Sequence, residues 1–193
     1  MKNRKISELN LHLSPQPSDL FAVVNGGETK RISTGTLLDY GNGYNKSHAV
    51  FYHTGSVSGS ANTERLFPHS TVGLQTDVNI VDRTKITVTQ AGIYKLTFSL
   101  QCRHTSGGNT TLTVWLKKNN NNVPDSSSDL YLSGNQVPYL FTMDYIINMN
   151  AGDFLQIAWS DTDGAVSFPY IGVRSNPTRP AVPSIITNIN RIG

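Results

Sequence analysis

Apolar and polar residues alternate most regularly near the middle of the chain, in the segment ITVTQAGIYKLTFSLQCRHT. The apolar positions there are Tyr94, Leu96, Phe98, Leu100 and Cys102. Polar residues fill the positions between them, so a period of two is sustained for about ten residues. This pattern predicts a β-strand with one buried face.

Further segments extend the pattern towards the C-terminus. TTLTVWLKK places Leu112, Val114 and Leu116 on one side. YLFTMDYIINMN places alternate residues on one side, namely Tyr139, Phe141, Met143, Tyr145, Ile147 and Met149. HAVFYH, FLQIAWS and PSIITNINRI are apolar at both parities, as in strands that are covered on two faces. Turn signals separate these segments and no helical period is present. About eight to ten short strands predict an all-β sandwich or jelly roll over residues 48–193.

The first forty residues contain apolar clusters too small to form a core. The runs DLFAVV, NGG and ETKRIS predict a β-hairpin, and SPQPSD before them reads as an extended spacer. An isolated hairpin is marginal in water, so its apolar residues need another surface to cover. We therefore predict an N-terminal arm at residues 1–40 and a linker at residues 41–47. The arm residues predicted to bind a partner are Ile6, Leu9, Leu20, Phe21, Val23 and Val24.

Composition agrees with a β protein whose outer faces are neutral and polar. Apolar residues make up 37% of the chain, charged residues make up 15%, and the net charge is +3. Basic residues of the arm are interspersed with acidic ones, so no nucleic-acid site is predicted. The N-terminus lacks the apolar stretch of a signal peptide, and no run is long enough to predict a membrane span.

Candidate catalytic and metal-binding residues do not form a recognisable set. The single cysteine, Cys102, excludes an internal disulfide and is predicted to be a small buried apolar residue. His48 and His53 are five residues apart on one strand, so they face opposite sides and do not share a metal. We predict no enzyme activity and no cofactor, while an ion on an axis of symmetry stays an open alternative.

Two other motifs and one group of aromatic residues invite a site. DTDG at residues 161–164 offers two carboxylates but lacks the later glycine and glutamate of a calcium loop, so it is predicted to be a tight turn. NGG in the arm is not followed by the lysine of a phosphate loop. A glycan platform would use aromatic residues, with packing between strands or subunits as the favoured alternative. The aromatic residues considered are Trp115, Tyr131, Tyr139 and Tyr170.

Four separated motifs resemble the jelly roll of the tumour necrosis factor and complement globular-head superfamily. They are Gly92-Ile93-Tyr94, the asparagine-rich turn from Asn119 to Val123, the pair Gly152-Asp153, and Trp159. The resemblance covers about residues 48–193 and implies a homotrimer built around one of the two sheets. Segments that are apolar at both parities agree with contacts to neighbouring subunits. The predicted trimer-interface residues are Val50, Tyr52, Phe154, Trp159 and Ile186.

The arm carries a second resemblance. KISEL, a spacer, DLFAVVNGGETKRIS and TLLDY resemble the N-terminal segment of many tailed-phage fibre and decoration proteins. The two resemblances together imply a phage structural protein: a trimeric capsid decoration, cement or head-fibre subunit, made in the host cytoplasm and placed on the outer surface of the virion. The implied partners are other copies of the chain and the major capsid protein or other virion subunits. The alternative is the receptor-binding tip of a tail fibre, with a host-surface glycan as a further partner.

Overall fold

A computed structural model describes residues 16, 18, 20–25, 27–33 and 47–193. The chain divides into two compact units, Met1–Asn45 and Lys46–Gly193. The described residues contain strands and no helix.

The first unit contains two strands, β1 (Leu20–Asn25) and β2 (Glu28–Ser33). They pair antiparallel, with Asn25 opposite Glu28. Gly27 has a φ of +79°, in the left-handed region that a two-residue hairpin loop requires and glycine adopts without strain. The predicted hairpin is therefore present.

The second unit contains the remaining strands. Ten of them have four or more residues, in agreement with the eight to ten expected: β3 (His48–His53), β6 (Thr71–Thr76), β7 (Val78–Val81), β8 (Lys85–Val88), β9 (Gly92–His104), β10 (Asn109–Lys118), β12 (Ser128–Ser133), β13 (Pro138–Met149), β14 (Phe154–Asp161) and β18 (Ile185–Arg191). The shorter ones are β4 (Val57–Ser58), β5 (Arg65–Leu66), β11 (Asn121–Asn122), β15 (Val166–Phe168), β16 (Arg174–Ser175) and β17 (Thr178–Arg179).

The strands of the second unit form two antiparallel sheets and one small hairpin. The first sheet has the order β11-β10-β14-β8-β7, with β12 also paired to β10 and β5 to β14. The second sheet has the order β4-β15-β9-β18-β3-β6, with β13 also paired to β9. Apart from the consecutive pairs β7–β8 and β10–β11, neighbours along each sheet are not consecutive in sequence, as in a jelly roll, so the predicted fold class is confirmed.

The apolar core lies between the two sheets. The predicted inward side chains of β9 and β10 are buried, whereas their neighbours along each strand are half-buried or exposed. The predicted inward side of β13 also packs on this core. Side chains from both sheets therefore meet, as the alternation in the sequence predicted.

An aromatic cluster joins the two sheets at one place in the core. Trp159 comes from the first sheet, Phe168 comes from the second, and Phe67 follows β5. The ring centroids of Trp159 and Phe168 are 4.8 Å apart, and those of Phe67 and Phe168 are 4.7 Å apart, with both pairs edge-on. All three side chains are fully buried, so the cluster holds the sheets together without any partner chain.

The region between residues 54 and 76 is more ordered than the sequence indicated. Its sequence is rich in serine, glycine and threonine and predicts a long loop with a short strand near Leu66, which is present as β5. The structure places β4 here and also β6, which is paired with the edge of β3. Most of β6 is exposed, so its sequence TVGLQT lacks the buried parity that identifies a strand.

Truncating a core tryptophan tests this packing. We expect Trp159→Ala to lower the free energy of unfolding by about 3 to 5 kcal/mol, because it leaves a cavity beside the rings of Phe67 and Phe168. Trp115→Ala is the matched control, since Trp115 is only half-buried on the outward side of β10. Urea unfolding at one protein concentration measures both variants. Equal losses in the two variants would contradict the assignment of Trp159 to the core.

Candidate functional site

The outward face of the second sheet is the largest surface on which the predicted interface residues come together. We call it the open face. Tyr52 on β3 lies opposite Ile186 on β18, and Val50 lies opposite Asn188 on the same pair of strands. Val50, Tyr52 and Ile186 are half-buried, and their inward neighbours Phe51 and Ile185 are fully buried.

A glycine lets the ring of Tyr52 lie flat against the edge strand of the open face. The register between β3 and β6 shifts in a bulge after Ala49. A Cβ atom on Gly73 would lie 2.9 Å from a ring carbon of Tyr52, so no larger residue fits there without displacing the ring. Leu74, the next residue, is 66% exposed.

The opposite side of the open face, on β13, carries two exposed aliphatic residues. Leu140 is 64% exposed and Ile146 is 70% exposed. A polar strip on β9 separates them from the cluster around Tyr52. Asp144 on β13 contacts this strip: it accepts a hydrogen bond from Thr97, and its carboxylate lies 3.4 Å from the ammonium nitrogen of Lys95. These contacts lower the pKa of Asp144, the hydrogen bond from Thr97 contributing most.

Two of the predicted interface residues lie elsewhere. Trp159 is fully buried in the aromatic cluster, so the prediction that it contacts another subunit is wrong. Phe154 is half-buried on the first sheet, where the ammonium group of Lys85 lies 5.4 Å from its ring. The outward residues Gln156 and Ala158 of the same strand are also buried, because β14 is flanked by β10 on one side and by β8 and β5 on the other. Apolar residues at both parities of β14 therefore reflect a central strand within one chain.

The arm residues predicted to bind a partner are only partly within the described residues. Ile6 and Leu9 lie outside them. Phe21, Val23 and Val24 lie in β1, and Leu20 at its start is 59% exposed.

A buried polar cluster lies where β9 and β14 end. His104 is fully buried, and its Nε2 lies 2.6 Å from Oδ2 of Asp163 and 3.0 Å from Oγ of Ser106. Burial raises the pKa of Asp161, which accepts a hydrogen bond from the backbone of Val166. Burial also tends to raise the pKa of Asp163, but hydrogen bonds from Ala165, His104 and Thr110 outweigh it and lower the value.

Serine, histidine and aspartate thus meet in one cluster, but not in the geometry of nucleophilic catalysis. In a catalytic triad one ring nitrogen of histidine contacts the serine and the other contacts the aspartate. Here Ser106 and Asp163 both contact Nε2 of His104, and Nδ1 is buried without a hydrogen-bond partner among the described residues. The imidazole therefore does not relay a proton from this serine to this aspartate.

The DTDG motif forms a tight bend, but it joins β14 of the first sheet to β15 of the second rather than the two strands of a hairpin. Gly164 has a φ of +74°, and a Cβ atom there would lie 2.8 Å from the backbone nitrogen of Ala61. Asp163 accepts a hydrogen bond from the backbone of Ala165 across the turn. The two carboxylates of the motif are therefore used inside the fold, and within the described ranges no group of three acidic, histidine or cysteine residues is placed to hold a metal.

The remaining candidates are placed as structural residues. His48 and His53 fall on opposite sides of β3, as predicted. Cys102 is 1% exposed, and burial raises the pKa of its thiol to about 12, so it is not a reactive thiolate. Among the described residues, no helix is long and apolar enough to cross a membrane.

The aromatic residues considered for a glycan platform do not form one cluster. Trp115 donates a hydrogen bond from Nε1 to Asn122. Tyr131 is 61% exposed and lies opposite Thr111, four residues before Trp115 on β10. Tyr139 lies on the second sheet, where its hydroxyl donates to the carbonyl of Ser133. Tyr170 is half-buried in the segment before β18.

No protein-family model and no curated protein matches this chain. Solved structures that resemble it include Eiger TNF from S. frugiperda, at 12% identity and a TM-score of 0.47 over 77% of this chain and 93% of that one. The globular domain of the zebrafish complement 1qA protein gives 12% identity and a TM-score of 0.46 over 77% and 98%. Murine APRIL gives 10% identity and a TM-score of 0.48 over 76% and 99%. No residue role transfers to this chain from proteins of such low identity.

The buried histidine His69 makes stability depend on pH. Burial lowers the pKa of His69 from 6.5 to about 4, while its Nε2 stays 2.9 Å from the hydroxyl of Thr187. A lowered pKa means that the unfolded chain takes up a proton before the folded one does. The contribution of neutral His69 to the free energy of unfolding is therefore fully present above pH 6.5 and is lost as the pH falls towards 4.

Replacing this imidazole tests the effect. We expect His69→Gln to remove about 2 to 3 kcal/mol of the stability lost between about pH 7.5 and about pH 4.5. Glutamine retains a group that hydrogen-bonds to Thr187 but does not titrate. Urea unfolding of both proteins at the two pH values gives the difference. Parallel losses in the two proteins would contradict the assignment.

Proposed function

We propose that this chain is a phage virion protein without enzyme activity: a homotrimeric capsid decoration, cement or head-fibre subunit that its N-terminal arm attaches to the particle. The observation that supports this proposal most directly is the unequal completeness of the two units. The jelly roll has a closed core of its own. The first unit presents a two-stranded sheet, which needs another surface to be stable.

The open face supports self-association. Its exposed or half-buried apolar residues lie around neutral polar side chains, and its only ion pair among the described residues joins Lys95 to Asp144. Depletion of charge together with accessible apolar residues is typical of the centre of a subunit interface. A specific interface needs about 800 Å² from each partner, and the open face spans a sheet of seven strands.

The arrangement of apolar residues on the open face favours a ring over a pair. One cluster lies on β3 and β18 around Tyr52, and the other lies on β13 at Leu140 and Ile146. The polar strip of β9 lies between them. Two different clusters on opposite sides suit a head-to-tail contact, in which one side of a subunit meets the other side of the next. Three copies close such a ring around the polar strip.

The arm is the proposed contact with the particle. A hairpin can add to an exposed sheet edge through backbone hydrogen bonds, which give such a contact its affinity, while side chains that fit pockets give its specificity. A trimer carries three arms, so their linked binding is much tighter than that of one arm. This explains a chain in which apolar residues occur in short clusters ahead of a self-contained domain.

A change of oligomeric state tests the role of the open face. We expect the full chain to have a mass of about 63 kDa by light scattering, three times the 21.1 kDa of one copy. Ile146→Glu places a charge on the open face and is expected to shift the protein towards the single-copy mass, because an unpaired buried carboxylate opposes assembly.

The matched control is Val81→Glu. Val81 is an exposed aliphatic residue on the edge strand of the first sheet, so this variant is expected to stay trimeric. A single-copy mass for the unaltered chain, or the same mass for both variants, would contradict the proposed interface.

Deleting the arm tests the role in attachment. We expect a chain that begins at residue 41 to remain folded and trimeric, because the core lies entirely within the second unit. The shortened trimer should no longer bind virus particles that lack the protein. Cosedimentation with such particles measures this, and the full chain serves as the control. Equal occupancy by the shortened and full chains would rule out attachment through the arm.

A further inference from the structure

The two ends of the jelly roll are distinguished by where the chain enters it. Residue 47 leads directly into β3, which runs from His48 to His53. The last strand, β18, returns antiparallel, with Asn190 opposite His48 and Ile185 opposite His53. We call the end at His53 the distal end, because it lies opposite the point at which the chain arrives from the arm.

Lysines and arginines have different partners in this unit. Residues 47–193 contain four lysines and six arginines. Every lysine pairs with a carboxylate within this range: Lys85 with Asp82, Lys95 with Asp144, Lys117 with Glu64, and Lys118 with Asp153. None of the six arginines forms an ion pair within the same range. The arginines therefore carry the uncompensated positive charge of the unit.

Five of these arginines lie at the distal end: Arg65, Arg83, Arg103, Arg174 and Arg179. The backbone carbonyl of Arg83 accepts a hydrogen bond from the backbone of His69. The positive charge of Arg83 helps burial to lower the pKa of His53. Arg103 is the penultimate residue of β9, opposite Ser167 of β15. Only Arg191 lies at the other end, opposite Tyr94 near the start of β9.

A small hairpin presents two of the arginines side by side. Arg174 on β16 is directly opposite Arg179 on β17, and both are exposed. Directly paired residues point to the same face, and like charges in such a pair destabilise a hairpin. The chain from residue 165 to residue 193 contains no acidic residue that could offset them. An external anion between the two guanidinium groups would convert this repulsion into binding.

A polar groove lies beside this segment. It has a volume of about 550 Å³ and is lined by His53, Ser56, Ser58, Glu64 and Arg65, together with the apolar residues Val57, Leu66 and Pro68. The backbone of Tyr170, ahead of the arginine hairpin, donates a hydrogen bond to the hydroxyl of Ser56 at 3.0 Å. The chain therefore contacts the groove four residues before it enters the hairpin at Arg174.

Arg65 gives the groove its fixed positive charge. Its Nη2 donates to the hydroxyl of Ser60 at 3.2 Å, and its Nε has no hydrogen-bond partner among the described residues. A Cβ atom on Gly59 would lie 2.3 Å from this Nε, so the glycine makes room for the guanidinium group. The neighbouring Glu64 is already neutralised by Lys117.

We propose that this groove and the Arg174–Arg179 hairpin together bind an acidic saccharide, a sugar chain that carries carboxylate, phosphate or sulfate groups. Arginine forks match these oxyanions through paired hydrogen bonds. The serine hydroxyls, the imidazole and the glutamate offer donors and acceptors to the hydroxyl groups of a sugar. An open, polar groove of this size suits a chain of sugars better than a compact apolar ligand.

Binding of soluble polysaccharides to the full chain tests the inference. The probes are dextran sulfate, a phosphorylated mannan and an alginate oligosaccharide, which differ in their acidic group, with uncharged dextran as the neutral probe. We expect at least one acidic probe to bind and neutral dextran not to bind. The probe that binds most tightly shows whether the site prefers sulfate, phosphate or carboxylate groups.

Variants show whether the proposed arginines are responsible. We expect Arg174→Gln with Arg179→Gln to weaken binding by about tenfold or more, since each removes a charged hydrogen-bonding fork. Lys118→Gln with Arg191→Gln is the matched control, because it removes the same charge at the opposite end and is expected to leave binding unchanged. Thermal unfolding checks that both variants are folded.

Three results would overturn the inference. They are absence of binding to every acidic probe, an equal loss of binding in the control variant, and equally tight binding of single-stranded DNA, which would indicate a site for any polyanion. The proposal does not depend on the virion assignment. A chain that binds the saccharide but not particles would contradict only the attachment role, and the converse would contradict only the saccharide site.

Discussion

Closure of two sheets on one apolar core is the constraint on which the other features of this protein depend. Alternate side chains of β9 and β10 fill the space between the sheets, and the cluster of Phe67, Trp159 and Phe168 joins the sheets. Because this core is complete within one chain, apolar residues outside it are not needed for the fold of the jelly roll. Exposed aliphatic residues on the open face and the hairpin at residues 20–33 can therefore serve contacts with other chains.

The predictable parts of the structure are those in which one face of a strand is buried and the other is wet. The alternation from Tyr94 to Cys102 predicted β9, and NGG between two strand-like runs predicted the β1–β2 hairpin. Alternation along the sequence did not identify the environment of side chains where both faces of a strand are buried. The sequence FLQIAWS looks the same whether the second face of β14 meets another subunit or its own sheet, so Trp159 was assigned to the wrong environment. The sequence did not predict β6 for the opposite reason: most of this strand is exposed, so no buried face produces an alternating pattern.

Electrostatic partners lay beyond sequence reasoning, because they depend on which side chains the fold brings together. His104 and Asp163 are 59 residues apart yet form a buried contact, and Lys117 pairs with Glu64 from a distant segment. That the lysines form ion pairs while the arginines do not is visible only once these pairs are known. One signal was available in the sequence: Arg174 and Arg179 flank the turn residues SNPT in a segment without acidic residues.

The order of segments along the chain fits a molecule with two opposed tasks. Residues 1–40 precede β3, and the arginine hairpin precedes β18, whose first residue lies beside the last residue of β3. Antiparallel pairing of β3 and β18 therefore separates the entry point from the hairpin by the length of a six-residue strand, about 17 to 20 Å. A jelly roll that kept both functions at one end would make a ligand compete with whatever holds the arm. Pairing the first strand of the domain with the last instead places the point where the chain enters the domain and the arginine hairpin at opposite ends of the apolar core.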